Sequence, residues 1–382
     1  MCPRLGLIPR AILSFDEQGR LVALESDVSK LDSLQGIEFF SGVLVPGMVN
    51  AHGHLELSYL KNKIPVGTGL AGFVRGVAEL RHGTDEPERV YAADVQDSLM
   101  YSEGIVAVGD ICNDAFTFSL KKKSPIHYHN FIEVFGIDPA IAAGAFMHGK
   151  TVAAVSGHDG LPFSLTPHSL YSVSQPLLEA VVAENTARKP LSIHFMESRA
   201  ESELFQDKGL FAERYRKDGL SVDFSVFGSP AGRLTASVPS DTPLILVHNT
   251  FVTEEDIDRI QSHFDNVTWV ICPRSNDYIE GEFPPVGLLR RKGCRIALGT
   301  DSLSSNTSLS LLDEMKFLTA RQPELSLPEM IMWATRGGAE ALGLDAWAGT
   351  FEIGMSPGAV LIDCIDWDRM SLTPESTARR IV

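Results

Sequence analysis

Basic residues are scarce in this chain of 382 residues: 33 lysines and arginines stand against 49 aspartates and glutamates, a formal net charge of −16. Nucleic-acid binding depends on phosphate contacts from Lys and Arg, so this balance argues against nucleic acid as a partner. The one basic run, Lys121-Lys122-Lys123, is followed by Ser124-Pro125 and reads as a solvated turn. Long apolar runs are missing as well, and none approaches the roughly 20 residues a spanning helix needs. The first ten residues lack the apolar core and small-residue cleavage site of a signal peptide. The expectation is a cytoplasmic chain with no membrane partner. Cysteine is sparse and scattered (Cys2, Cys112, Cys272, Cys294, Cys364), with no Cys-x-x-Cys. An odd, dispersed set suits reduced thiols, and it excludes the H-x-E…P-C-x-x-C zinc signature. Internal repeats and low-complexity tracts are absent too.

What recurs is a short β-branched run followed by a longer helical or charged stretch. The candidate strands are 45–54, 104–112, 126–135, 163–168, 191–196, 244–248, 267–272 and 296–301. Helical patterns lie between them. Residues 86–103 are closed by Gly104, 174–188 open at Ser174 as a cap, and 253–264 begin Thr253-Glu-Glu-Asp. Residues 286–292 end at Gly293, and 309–320 are apolar on one face. Eight strands alternating with helices predict an α/β chain folded as a (β/α)8 TIM barrel, with a doubly wound open sheet as the alternative. The two ends fit neither pattern. Short strand-and-turn segments up to about residue 42 and again after Gly349 are each too small to bury a core, so they are expected to pair into one small β-domain. The expected boundaries are 1–45 and 346–382 for that domain and 46–345 for the barrel.

A barrel carries its chemistry at the C-terminal ends of its strands. Those ends hold His52 and His54, His168, His194, His248 and Asp301, so five of the chain's eleven histidines fall there. His52 and His54, two apart on one strand, point to the same side. Histidines with a carboxylate suit zinc or ferrous iron, whereas Mg2+ and Ca2+ need a mostly oxygen shell. An open coordination position would hold a water acidified to a pKa of about 7. Glu197, three residues after His194, is placed to shuttle that water's proton.

The segments Pro46-Gly-Met-Val-Asn-Ala-His52-Gly-His54, Leu165-Thr-Pro-His168-Ser-Leu-Tyr-Ser, His194-Phe-Met-Glu197, Val247-His248-Asn, Cys272-Pro-Arg-Ser-Asn276 and Leu298-Gly-Thr-Asp301-Ser follow one another in the order found in the amidohydrolase superfamily. The chain resembles the branch that holds cytosine, guanine, methylthioadenosine and S-adenosylhomocysteine deaminases and the triazine chlorohydrolases. The resemblance implies a barrel with a β-sandwich built from both termini. It implies one divalent metal per chain, zinc with ferrous iron as the alternative, held by His52, His54, His194 and Asp301. It makes Glu197 the proton shuttle, has His248 orient the water and stabilise the oxyanion, gives Asp301 a second role in proton transfer, and sets His168 against the substrate. Two-metal relatives carry a lysine at the end of the fourth strand; here that strand ends in His168, which implies one ion.

The implied reaction is hydrolytic deamination of a purine-like nucleoside or base by an aminohydrolase. The alternatives are a chlorohydrolase or cyclic-amide hydrolase on the same barrel, or a non-catalytic metal-binding homologue. His54-Leu-Glu56-Leu-Ser58 looks most like the aminodeoxyfutalosine deaminases. Glu56 would bond substrate or cap a loop, and Arg274 would meet a substrate carboxylate or pair with a local acid. Near the C-terminus, Ser356-Pro-Gly-Ala-Val departs from the family's commoner Lys-Ala-Asp-Leu. The expected partner is a small heterocyclic or nucleoside substrate; a homo-oligomer is compatible with the sequence and not specified by it.

Overall fold

The computed structural model describes residues 6–26, 36–81 and 83–382, so part of the expected N-terminal β-segment lies outside the described residues. In chain order the strands are β1 (Ile12–Phe15), β2 (Leu21–Glu25), β3 (Val43–Pro46), β4 (Met48–Gly53), β5 (Ile105–Cys112), β6 (His127–Val134), β7 (Phe163–Pro167), β8 (Leu191–Phe195), β9 (Leu244–His248), β10 (Val267–Ile271), β11 (Ile296–Leu298), β12 (Ala359–Asp366) and β13 (Ser371–Arg380).

Among the described residues, eight strands are parallel and form two four-stranded sheets, β4-β5-β6-β7 and β8-β9-β10-β11. Each of the eight expected runs contains one of them. Every residue of β4 and β5 is buried; parallel sheets covered by helices are buried on both faces, which is why these runs read as continuously apolar. The sheets touch at two seams. At one, the His194 amide donates to the His168 carbonyl at 2.9 Å; at the other, the Thr300 amide donates to the His52 carbonyl at 3.0 Å. Each seam is thus built from residues of the candidate site.

The expected strand 45–54 is in fact two. Val43–Pro46 pairs antiparallel with β12, Val45 opposite Val360, and the parallel β4 begins only at Met48. Gly47 is the pivot. A Cβ there would lie 2.2 Å from Val106 Cγ1 and 2.5 Å from the Pro357 carbonyl oxygen, so any side chain would push the small sheet off the large one. The chain ends do meet: β13-β12-β3 form one antiparallel sheet, and the β1-β2 hairpin is tied to the C-terminal segment by the Leu21 amide on the Met355 carbonyl at 2.8 Å. Leu21, Phe351 and Ala359 bury a small apolar cluster between them.

Helices follow most strands. Glu254–His263 starts with a capping box in which Thr253 and Asp256 satisfy each other's backbone amides. Gln175–Glu184 starts at Ser174 as expected, but the Ser174 hydroxyl is buried and makes no capping bond. That helix start is held instead by Pro176 and by fully buried Arg233, which donates to the Val173 carbonyl at 3.0 Å and to Gln175 Oε1 at 3.2 Å.

The reading of Lys121-Lys122-Lys123 as a solvated turn is corrected. Lys122 and Lys123 are exposed, but Lys121 is buried and its Nζ lies 2.5 Å from Asp110 Oδ2 on β5. A lone buried acid on the neighbouring strand selects one lysine from the run, a choice that composition cannot reveal. No helix among the described residues is long and apolar enough to cross a membrane.

Candidate metal centre and active site

His52 sits in β4 and His54 just beyond it, His194 in β8 and His248 at the last position of β9. Asp301 lies three residues past β11, and Glu197 two past β8. All six are buried, none more than 8% exposed. Parallel strands place their C-terminal ends on one side, so residues spread over 250 positions converge. His52 Nε2 lies 3.1 Å from His54 Nε2, and His54 Nε2 lies 3.3 Å from Asp301 Oδ1. The ligand atoms of His52, His54 and His194 fall within 4.8 Å of one another. Donors at 2.0–2.1 Å from one zinc ion lie about 3–4 Å apart, the range of the His52–His54, His54–Asp301 and His52–Asp301 spacings.

The electrostatics suit that use. Burial, reinforced by the facing imidazoles, pushes His52 and His194 well below the ordinary histidine range, so both stay neutral with a lone pair to donate. Burial works against a charged Asp301, yet His54, His248 and the Ser275 hydroxyl outweigh it and hold the carboxylate below its usual range. Burial likewise opposes the charge on Glu133, but His168 and His194 hold that carboxylate low. Glu133 in return raises His168 against the effect of burial. Positive charge is therefore drawn to His168 and away from His52 and His194.

The backbone is turned to aim these groups. His248 has φ +75° and Asp301 φ +54°, left-handed values that cost a non-glycine residue on the order of 1–3 kcal/mol. The neighbouring contacts hold them there. Asn249 Nδ2 donates to the Leu246 and Val270 carbonyls at 2.8 and 3.0 Å, and His248 Nδ1 donates to Asn276 Oδ1 at 2.8 Å. Asp301 Oδ2 accepts from Ser275 Oγ at 2.5 Å and Ser305 Oγ at 2.8 Å, leaving Oδ1 toward the histidines. Groups that orient a ligand affect metal affinity strongly. Ser275→Ala is accordingly expected to weaken zinc binding roughly 10- to 100-fold in chelator competition; unchanged affinity would mean that Ser305 alone suffices.

Behind this loop, buried Glu314 accepts from Asn306 Nδ2 at 2.8 Å and from the Arg274 amide at 3.1 Å. Burial pushes its carboxyl up to about 8, with Arg274 opposing. Between the ordinary value of 4.5 and about 8 the folded chain keeps a proton that the unfolded chain has lost. Stability from this group is therefore lost as pH rises through that window. Glu314→Gln removes the titration, so its melting temperature should fall less than the parent's between about pH 5 and pH 8; parallel curves would refute the assignment.

His168 lies against the same cluster, its ring 4.4 Å from that of His194, with Nδ1 on Glu133 Oε1 at 2.7 Å and Nε2 3.3 Å from the Tyr171 hydroxyl. Two expected substrate contacts are directed elsewhere. Glu56 is bound by Arg81 at 3.2 Å and by the Asn113 amide at 2.9 Å, which leaves it bracing the turn after His54. Arg274 turns away from the histidines to Ser308 at 2.7 Å, to Thr307, and to Asp313 at 3.6 Å. It lines a separate groove of about 520 Å³ with Lys316, Phe317 and Thr373. Both side chains thus have partners within the protein. Sequence reasoning missed Glu133, Tyr171, Ser275 and Asn276 as supports, although the last three lie inside the matched segments.

A converging set of histidines and one carboxylate, with a second carboxylate and a further histidine beside it, defines the site of a metal-assisted hydrolase. The pattern of the amidohydrolase family matches residues 43–377, and the chain belongs to that family. It is 31% identical over 324 residues to an adenosine deaminase of Helicobacter pylori, covering 83% of this chain and 78% of that one. In fold it is similar to the H. pylori aminofutalosine deaminase crystallised with methylthio-coformycin (TM-score 0.80, 24% identity, 97% and 94% of the two chains). It is also similar to the Arthrobacter aurescens atrazine chlorohydrolase TrzN complexed with zinc (TM-score 0.74, 17% identity, 95% and 84%).

Proposed function

We propose that this chain is a one-metal aminohydrolase that replaces the exocyclic amine of a purine nucleoside with oxygen and releases ammonia. The observation that carries the reading is the placement of Glu197 and His248 together beside the ligand set, with Glu197 Oε2 at 3.6 Å from His248 Nε2. A site that only bound metal would have no use for a buried carboxylate and a buried imidazole at that spot. The two parallel sheets are read as halves of one (β/α)8 barrel closed at the His168–His194 and His52–Thr300 seams. The terminal sheets are read as a small β-domain, with boundaries at about residues 45 and 346.

In this reading His52, His54, His194 and Asp301 would hold a single zinc ion, which when bound would lower the pKa of a water to about 7. Water adds across the ring C=N bond at the amine-bearing carbon. Glu197 takes one of its protons and delivers it to the ring nitrogen. His248, whose Nδ1 is committed to Asn276, turns Nε2 toward the oxygen that becomes the product carbonyl. Asp301 carries the remaining proton to the leaving amine, and the C–N bond breaks as the C=O bond forms. His168 faces the substrate heterocycle. The relatives named for adenosine and aminofutalosine deamination support a purine nucleoside.

The test is ammonia release from zinc-loaded protein across adenosine, aminodeoxyfutalosine, methylthioadenosine, S-adenosylhomocysteine, guanine and cytosine. Turnover is expected on at least one adenine nucleoside. Opening of a cyclic amide, or chloride release from a chlorotriazine, without ammonia from any member of the panel would overturn it.

A further inference from the structure

We propose that Tyr171 is a positioning residue for the proton shuttle: its hydroxyl fixes Oε1 of Glu197 and leaves Oε2 as the oxygen that carries the proton. The chemistry rests on the deaminase reading above; the geometry stands independently of it.

Tyr171 lies in the loop after β7, and its hydroxyl donates to Glu197 Oε1 at 2.5 Å. Bonds of this length from a hydroxyl to a carboxylate are among the stronger protein hydrogen bonds. A phenol has one hydrogen, and here it is committed to Glu197, so Oε1 is capped. His168 Nε2 lies 3.3 Å from the same hydroxyl, and its Nδ1 donates to Glu133 at 2.7 Å. Oε2 faces His248 Nε2 at 3.6 Å, on the side where the reacting atoms would sit.

The tyrosine is itself held in place. The residue is 5% exposed, and its ring is stacked on Phe211 at 4.7 Å with an interplanar angle of 10°. Its carbonyl accepts from Tyr215 Oη at 2.7 Å. Arg233, fully buried, fastens the carbonyls of Leu170 and Val173 on either side. Glutamate has a soft terminal torsion that interchanges its two oxygens. A shuttle whose carboxylate rotates spends part of its time misaligned, and misalignment by about 1 Å can cost on the order of 100-fold in rate. The tyrosine removes that freedom.

Tyr171→Phe keeps the ring and its stack and removes only the hydroxyl. On the nucleoside that the parent deaminates fastest, kcat is expected to fall about 10- to 100-fold, with KM, zinc content and melting temperature little changed. In a Glu197→Gln background the same substitution should cause no further loss, because both changes act through one carboxylate. A second variant, Phe211→Ala, keeps the hydroxyl but frees the ring, and should give a smaller kcat loss at the same KM. Full multiplicative loss in the double variant, or a raised KM with normal kcat, would overturn the proposal and make Tyr171 a packing or substrate-contact residue. A panel without any turnover would sink the deaminase reading alone. Crystal structures of the zinc-loaded parent and Tyr171→Phe then decide the positioning claim. A single Glu197 orientation in the parent that changes or multiplies in the variant supports it; an identical orientation in both refutes it.

Discussion

Glu197→Gln is expected to keep its zinc and its fold while losing about 100- to 10,000-fold in kcat, the usual range for removing a general acid–base. The carboxylate is 8% exposed and has its two oxygens divided between Tyr171 at 2.5 Å and His248 at 3.6 Å. Glutamine has the same shape and can still accept the Tyr171 hydrogen on its carbonyl oxygen, so the pocket should close around it unchanged. What it lacks is a group that exchanges a proton at neutral pH. Steady-state ammonia release measures the loss, and metal analysis provides the control, with one zinc expected per chain in parent and variant. Activity near the parent's would remove Glu197 from the mechanism. Two ions per chain would overturn the one-metal reading, which follows from His168 standing where two-metal relatives have a lysine.

Lys121→Met is expected to destabilise the fold by about 3–5 kcal/mol, the cost of leaving a buried charge without its partner. Lys121 Nζ reaches Asp110 Oδ2 at 2.5 Å, Asn130 Oδ1 at 2.8 Å and Cys112 Sγ at 3.0 Å, and both charged side chains are fully buried. Burial works to strip the lysine of its proton, but Asp110 outweighs it and holds the ammonium above the ordinary lysine range. The other Asp110 oxygen accepts the Leu55 amide at 2.8 Å, immediately after His54. Without Lys121 this carboxylate must protonate or draw in water, and the turn bearing His54 loosens. The measurement is the melting temperature of zinc-free and zinc-loaded protein. Asp110→Asn added to Lys121→Met should recover part of the loss, because no uncompensated charge then remains. A single variant as stable as the parent would show that the pair contributes nothing.

Local spacing made much of the centre readable. His52 and His54 share a strand face, Glu197 follows His194 by three residues, and each parallel strand announces itself as an apolar run because both faces of the sheet are buried. Partner choice across long separations was not readable. Glu56 and Arg274 each admitted two readings, and neighbours far along the chain, Asn113 and Ser308, favoured the structural one. Ser174 occupies a cap position without bonding as a cap, since Arg233, 59 residues on, already holds that helix start. The break at Gly47 escaped notice because apolar residues continue on both sides of it. Only the approach of Val106 and Pro357 makes a side chain impossible there.

The sequence by itself determined the alternation of strands and helices, and with it the side on which the strand ends collect. It also determined which residue types those ends carry, His52, His54, His194 and Asp301 with Glu197 and His248 beside them. These follow from short-range periodicity, and a parallel sheet turns periodicity directly into position. Tertiary structure alone decided which atoms face each other: that Asp301 offers Oδ1 because Ser275 and Ser305 occupy Oδ2, that Glu197 offers Oε2 because Tyr171 holds Oε1, and that one lysine of three is buried against Asp110. Those are choices between chemically equivalent atoms or residues, and only contacts from distant parts of the chain can break the equivalence.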